Sequence, residues 1–188
     1  MSAEVRLART DELTPAELDA LHDLCRTAFE QPGATRDPAG LGFTDDDWAH
    51  ACGGVHAFVN EDGLPIAHGS VVERDIHVGG VPLRTGYVEA VATRSDRRGR
   101  GLGTAVMRAL GEEVRAGFEL SALDTSLHSF YARLGWERWC GPTFVRTDDG
   151  LVATTEEDGY VMILRTPSTP PLDLDAPISC EWRPGDVW

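Results

Sequence analysis

The sequence contains no lysine: all 17 of its basic residues are arginine. Against them stand 31 acids, so the net charge is −14 and the isoelectric point is near 4.7. A polyanion of this kind lacks the basic surface that displaces counterions from nucleic acid, and it avoids anionic membranes. Without lysine, a Walker phosphate loop is excluded as well. No apolar run reaches 18 residues, so no membrane span is expected. The N-terminus, Met1-Ser2-Ala3-Glu4-Val5-Arg6, has neither the basic nor the apolar stretch of a secretory signal, and a cytoplasmic location is expected. The cysteines, Cys25, Cys52, Cys140 and Cys180, form no C-x-x-C pair and no zinc spacing, and are read as reduced thiols. The six histidines offer no i,i+4 metal pair; they are read as structural or surface residues, and no metal is expected.

What is present is enough for a core. A chain of 188 residues with 41% apolar content suits a single domain, residues 1–188, that folds without a disulfide or metal. Val5–Arg9 alternates as a strand. Thr14-Pro15 opens a helix whose Leu18, Leu21, Leu24, Cys25 and Ala28 recur at helical spacing. Residues 31–42 read as a loop, and Thr44 as the cap of a short helix carrying Asp45, Asp46, Asp47 and Trp48. Strands are expected at Val55–Asn60, Leu64–Arg74 and Leu83–Thr93, with turns at Glu61-Asp62-Gly63 and Val78-Gly79-Gly80-Val81. A helix follows over Leu102–Val114, then a strand at Phe118–Leu123 and a helix at Ser126–Leu134 stopped by Gly135. Further strands are expected at Trp136–Cys140, Thr143–Arg146, Leu151–Ala153 and Tyr160–Arg165. Residues 167–188 are proline-rich at first, but Trp182 and Trp188 argue for an ordered tail. The element order implies α/β layers with a mixed sheet.

The most informative stretch is 83–114. The strand ending Tyr87-Val88-Glu89-Ala90-Val91-Ala92-Thr93 runs into Arg98-Gly99-Arg100-Gly101-Leu102-Gly103-Thr104 and a helix. Glycines let successive N–H groups turn into one hollow, and the helix dipole favours an anion there. Residues 91–108 carry five arginines (94, 97, 98, 100, 108) against Asp96, a net of +4, while the remainder carries −18. This basic island is the expected place for an anionic ligand. The dinucleotide pattern G-x-G-x-x-G is not met. The string resembles instead the [Q/R]-x-x-G-x-[G/A] signature of the GNAT superfamily of N-acetyltransferases. Tyr131-Ala132-Arg133-Leu134-Gly135-Trp136 resembles the later helix-to-strand junction of the same superfamily.

Four further strings narrow the likeness. Phe43-Thr44-Asp45-Asp46-Asp47-Trp48, Gly53-Gly54-Val55-His56-Ala57, Gly86-Tyr87-Val88-Glu89-Ala90-Val91-Ala92 and Cys180–Trp188 resemble the aminoglycoside 2'-N-acetyltransferases. The likeness implies the acyl-CoA N-acyltransferase fold: a mixed, mostly antiparallel sheet, splayed at the acetyl-CoA site, with helices on both faces. It implies acetyl-CoA as co-substrate and an aminoglycoside as acceptor, with drug resistance as the consequence. Val91, Ala92 and Thr93 would hold the pantetheine arm, and Arg98, Gly99, Arg100, Gly101, Leu102, Gly103 and Thr104 the pyrophosphate. Glu89 would be the water-mediated general base and Tyr131 the general acid. Asp47, Glu89, Ala90, Asp124, Glu157, Asp186 and the Trp188 carboxylate would meet the drug, with Trp188 also a candidate in catalysis and residues 167–188 completing the pocket. The likeness further suggests a homodimer. Departures from the family pattern are Gly42 where Asp is frequent, Asp124 where Ser is common, and Glu156 or Glu157 in place of an Asp.

The residues suit acyl transfer on chemical grounds alone. A thioester is attacked by a neutral amine, so an ammonium must first lose a proton to a carboxylate, directly or through water. Glu89 lies mid-strand among apolar neighbours, where desolvation raises a carboxyl pKa. The Val91 N–H is a candidate oxyanion donor, and Tyr131 can protonate a departing thiolate. Two alternatives stand beside this one: the same fold acting on a polyamine or peptide amine, and a non-catalytic module that sequesters cationic drugs.

Overall fold

The computed structural model describes residues 4–30 and 42–188. The loop expected at 31–42 therefore lies, but for Gly42, outside the described residues. In order, the elements are β1 (Arg6–Arg9), α1 (Pro15–Phe29), α2 (Asp45–Ala51), β2 (Val55–Glu61), β3 (Leu64–Val78), β4 (Val81–Thr93), α3 (Leu102–Gly117), β5 (Leu120–Asp124), α4 (His128–Ala132), β6 (Glu137–Arg138), β7 (Thr143–Thr147), β8 (Gly150–Ala153), β9 (Val161–Arg165) and β10 (Ile178–Glu181). Pairing is antiparallel in β1–β2, β2–β3, β3–β10, β5–β9, β6–β9 and β7–β8. It is parallel in β4–β5 and β7–β10. This is the mixed, mostly antiparallel α/β sheet that the sequence predicts. The chain forms two compact units, one comprising residues up to Val72 with Val88–Glu113, the other Glu73–Tyr87 with Val114–Trp188.

In the first unit, α1 starts where Thr14 and Glu17 exchange bonds. The Thr14 side chain accepts from the Glu17 N–H, and the Glu17 carboxylate accepts from the Thr14 N–H at 2.9 Å, with Pro15 in the first turn. The helix buries Leu21, Leu24, Cys25 and Ala28, one stripe at 3–4-residue spacing. Leu21 packs with Ala8, Leu13 and Phe58; Leu24, Cys25 and Ala28 pack with Ala92 of β4. The β2–β3 hairpin turns at Asp62 (φ 53°) and Gly63 (φ 80°), two left-handed residues of a two-residue loop. A bulge between Val59 and Asn60 shifts the register, so that Phe58 opposes His68 and His56 opposes Ser70. On β3, a Cβ at Gly69 would stand 3.1 Å from methyls of Val106 and Leu110; glycine there lets α3 approach the strand closely.

In the second unit, β5 is central, bonded to β4 at Thr85–Leu120, Gly86–Ser121 and Tyr87–Ala122 and to β9 on its other side. All but its last residue are buried. Both β4 and β5 continue past the Tyr87–Ala122 pair, and the unit boundary in β4 falls there. α4 is shorter than the helix expected at Ser126–Leu134, and the strand expected at Trp136–Cys140 shrinks to β6. Gly135, at φ 91°, makes the turn between them. The proline-rich tail contains a strand that its sequence pattern does not predict: β10 lies between β3 and β7. Of the two tail tryptophans, Trp188 is buried and Trp182 is 60% exposed, so only Trp188 anchors.

Candidate active site

β4 carries an irregularity near its C-terminal end. Ala90 has φ 51°, and among the described residues only Asp62 in the hairpin turn is a second non-glycine with positive φ. For alanine the left-handed conformation costs about 1–2 kcal/mol, so something must hold it. His68 Nδ1 lies 2.9 Å from the Ala90 carbonyl oxygen, with the Cys25 sulfur 3.7 Å from the same atom. His68 is bonded in turn to His56 (2.9 Å), and His56 to Thr10 (2.9 Å). Both rings are fully buried. Burial drives the His56 pKa down to about 4 and the His68 pKa lower still, with the neighbouring ring adding to the effect. Of the two roles the sequence allows these histidines, structural or surface, both take the structural one: they are interior, and His68 bonds the Ala90 carbonyl while His56 backs it.

Glu89, Ala90, Val91, Ala92 and Thr93 follow one another along β4, and the Val91 side chain lies on the side of β3 where Gly69 meets α3. Beyond Thr93 the chain turns into the glycine loop. Gly99 (φ 75°) and Gly101 (φ 79°) take conformations open to glycine, with no atom within 4 Å of a Cβ built at either. α3 starts at Leu102, the Ala105 N–H bonding the Gly101 carbonyl at 3.0 Å. The N–H groups of the first turn, Leu102, Gly103 and Thr104, have no carbonyl one turn back to bond. Arg98 folds back, its side chain donating to the Thr93 carbonyl (3.4 Å) and the Ala28 carbonyl (3.3 Å). A hollow of this kind, with exposed Arg98 and Arg100 beside it, fits a pyrophosphate.

The basic island is weaker than the count over 91–108 suggests. Arg97 donates to Glu61 at 2.7 Å and to Asp96 at 2.7 Å; Arg94 donates to Asp96 at 2.7 Å and to Glu61 at 3.4 Å. Arg97 holds the Glu61 carboxyl below its ordinary pKa. Glu61 comes from the β2 end, distant in sequence, and with Asp96 it commits two of the five arginines. Asp47, proposed from sequence to meet a substrate, accepts the Thr44 N–H and hydroxyl, each at 2.8 Å, and so caps α2.

The second unit carries the other candidates. Tyr131 on α4 is buried, edge-on to Trp136 with centroids 5.9 Å apart. Desolvation pushes its pKa above the ordinary tyrosine value, so the phenol keeps its proton at neutral pH. Asp124 ends β5 opposite Val161, and the next residue, Thr125, donates its N–H to the Tyr160 carbonyl. Glu157 closes a short 3-10 turn, Thr155–Glu157. Trp188 donates its indole N–H to Thr154, just before that turn, at 3.0 Å. Arg183 donates to the backbone oxygens of Asp186 (2.7 Å) and Trp188 (3.4 Å), folding the tail on itself. Among the described residues no group of three or more His, Cys, Asp or Glu is placed to hold a metal ion, and no helix is long and apolar enough to cross a membrane.

Comparison with known proteins bears on this geometry. Residues 9–139 match the acetyltransferase (GNAT) domain family. The chain is 40% identical, over 97% of its length and 91% of the relative's, to an aminoglycoside 2'-N-acetyltransferase of Mycolicibacterium fortuitum. Its fold is that of a GNAT family acetyltransferase from Brucella melitensis solved with acetyl-CoA (17% identity, 91% of this chain and 94% of that one, TM-score 0.60). It is likewise that of a GNAT family N-acetyltransferase from Escherichia coli solved with CoA (16% identity, 96% and 89%, TM-score 0.61). With its left-handed Ala90 in β4, its glycine loop opening α3 and a match spanning most of its length, the chain belongs to the GNAT acetyltransferases.

Proposed function

We propose that the protein transfers the acetyl group of acetyl-CoA to the 2'-amino group of aminoglycosides. The observation that carries this is the 40% identity, over nearly the whole chain, to an enzyme of that activity. The charge pattern supports it: an acidic protein attracts a substrate bearing several ammonium groups. The glycine loop and the first turn of α3, with Arg98 and Arg100, would hold the pyrophosphate, and β4 from Val91 to Thr93 the pantetheine arm. Acetyl-CoA supplies the activated acyl group as a thioester.

The chain's residues then have these tasks. Glu89, through water, takes a proton from the drug's ammonium and leaves a neutral amine. The amine nitrogen bonds the thioester carbon, and the Val91 N–H meets the oxyanion that develops. The C–S bond breaks, and Tyr131 gives its proton to the sulfur; burial keeps the phenol in its protonated form at neutral pH. Asp124, Glu157, Asp186 and the Trp188 carboxylate would meet ammonium groups of the drug, and Asp47 would do so alongside its capping duty. We infer a homodimer from the same family likeness.

Thiol release with gentamicin, kanamycin A and spermine tests the reading. Kanamycin A carries a hydroxyl at the 2' position. Turnover of gentamicin alone, with product NMR placing the acetyl group on the 2'-nitrogen, is expected. Equal turnover of kanamycin A would refute the regiochemistry, and a preference for spermine would refute the substrate class. Tyr131→Phe should lower kcat while leaving acetyl-CoA binding in place.

A further inference from the structure

Four polar groups form an unbroken row inside the first unit, from Thr10 to the left-handed Ala90 of β4. Thr10 Oγ1 is 2.9 Å from His56 Nε2, His56 Nδ1 is 2.9 Å from His68 Nε2, and His68 Nδ1 is 2.9 Å from the Ala90 carbonyl oxygen. The row can be assigned in one direction only. A carbonyl accepts and never donates, so His68 Nδ1 carries a proton. A neutral imidazole has one N–H, so His68 Nε2 accepts, and His56 Nδ1 must donate to it. His56 Nε2 then accepts from the Thr10 hydroxyl, whose oxygen accepts the Gly53 N–H at 2.8 Å. Every polar atom of both rings is satisfied, and both rings are the same tautomer. The row cannot serve as a proton relay, because it ends on a carbonyl oxygen with no proton to pass on. It is a brace.

What it braces is one peptide plane. The carbonyl of Ala90 and the N–H of Val91 belong to the same rigid trans unit, so a bond that fixes the oxygen aims the N–H the opposite way. A donor on the carbonyl also polarises the amide and strengthens its N–H as a donor. We propose that His68, backed by His56 and Thr10, is a positioning residue that aims and polarises the Val91 N–H for the reacting carbonyl oxygen. The inference rests on the reading above that this N–H serves acetyl transfer. It adds a reason for a buried histidine pair and for a left-handed alanine in a strand: each keeps the other in place.

The experiment compares His68→Leu, which removes the donor at similar volume, with His68→Asn, whose amide N–H can take the place of Nδ1–H. Steady-state thiol release with gentamicin is read beside backbone amide exchange at Val91 and histidine 15N–1H correlations. The brace predicts Nδ1–H tautomers on both rings of the unaltered protein and faster exchange at Val91 in His68→Leu. It predicts a fall in kcat of about tenfold to a hundredfold in that variant, less than the loss of a whole oxyanion donor, with KM within about threefold. His68→Asn should recover most of kcat. A kcat within twofold of the unaltered enzyme in His68→Leu would overturn the proposal, as would a His68→Asn no better than His68→Leu. Should His68→Leu fail to fold, an Nε2–H tautomer on either ring of the unaltered protein overturns the brace. Absent turnover of gentamicin by the unaltered protein refutes the substrate reading, while tautomers and Val91 exchange still decide the brace.

Discussion

The histidine pair makes the fold sensitive to mild acid, by an amount that can be worked out. In an unfolded chain each ring titrates near pH 6.5. In the fold, burial holds His56 neutral down to about pH 4 and His68 to a lower pH. Between those limits the unfolded state binds protons that the native state refuses, so stability rises with pH and is lost as pH falls below about 6.5. At pH 5 each ring's contribution is about 2 kcal/mol relative to pH 7, and the pair's about 4 kcal/mol, a large part of the 5–15 kcal/mol typical of a domain. Urea unfolding followed from pH 7 to pH 5 measures the slope. The variant His56→Phe/His68→Leu supplies the reference: whatever its absolute stability, unfolding at pH 5 should take up about two fewer protons than in the unaltered protein. Calorimetric unfolding in two buffers of different ionisation enthalpy counts them. Equal proton uptake in the two proteins, or ring resonances of His56 and His68 that titrate above pH 6 in the native state, would refute the reasoning.

Three further outcomes are expected. Gly54→Ala would put a Cβ 1.9 Å from the Val71 carbonyl oxygen and should cost about 3 kcal/mol or more by denaturant unfolding, whereas Gly117→Ala, in open space at the end of α3, should be neutral or stabilise by up to about 1 kcal/mol. Glu61→Gln removes one of the two acids that Arg97 and Arg94 share, the other being Asp96, so acetyl-CoA should bind more tightly and with a steeper dependence on salt, read by titration calorimetry, while the melting temperature changes little. Trp188→Ala removes a buried indole and its bond to Thr154; it should cost about 3 kcal/mol in unfolding experiments and raise KM for the amine more than KM for acetyl-CoA.

The helices were readable because their signals are local. Thr14-Pro15 with Glu17, and Thr44 with Asp47, carry their capping boxes within four residues, and the glycine loop with the first turn of α3 is contiguous. The candidate acids and the tyrosine came from family strings and not from any periodicity. The histidine row was hidden by one residue. Counted from the Asp62-Gly63 turn without a bulge, His56 and His68 fall on opposite faces of the hairpin; the extra residue near Asn60 brings them to the same face. Nothing in the local sequence marks that bulge. The reduction of the basic island was equally invisible, because Glu61 reaches Arg97 through tertiary contact. β10 is not legible in the sequence because Ile178-Ser179-Cys180-Glu181 is only four residues long and follows a proline, with too little pattern to separate it from a tail.

The position of β10 sets an order on assembly. β7 and β8 form a hairpin complete by Ala153, yet among the described residues β7 is paired to the rest of the sheet through Ile178–Glu181, which bonds β7 in parallel and β3 in antiparallel fashion. A two-stranded ribbon alone in water is marginal. The hairpin must therefore wait for a segment some 25 residues further along the chain, and the His77–Val78 end of β3 gains its β10 partner only at the same moment. One late insertion closes two seams at once. A chain cut before Ile178 would leave an orphan ribbon and an open β3 edge, both prone to pairing with other molecules, so its first symptom should be aggregation during refolding.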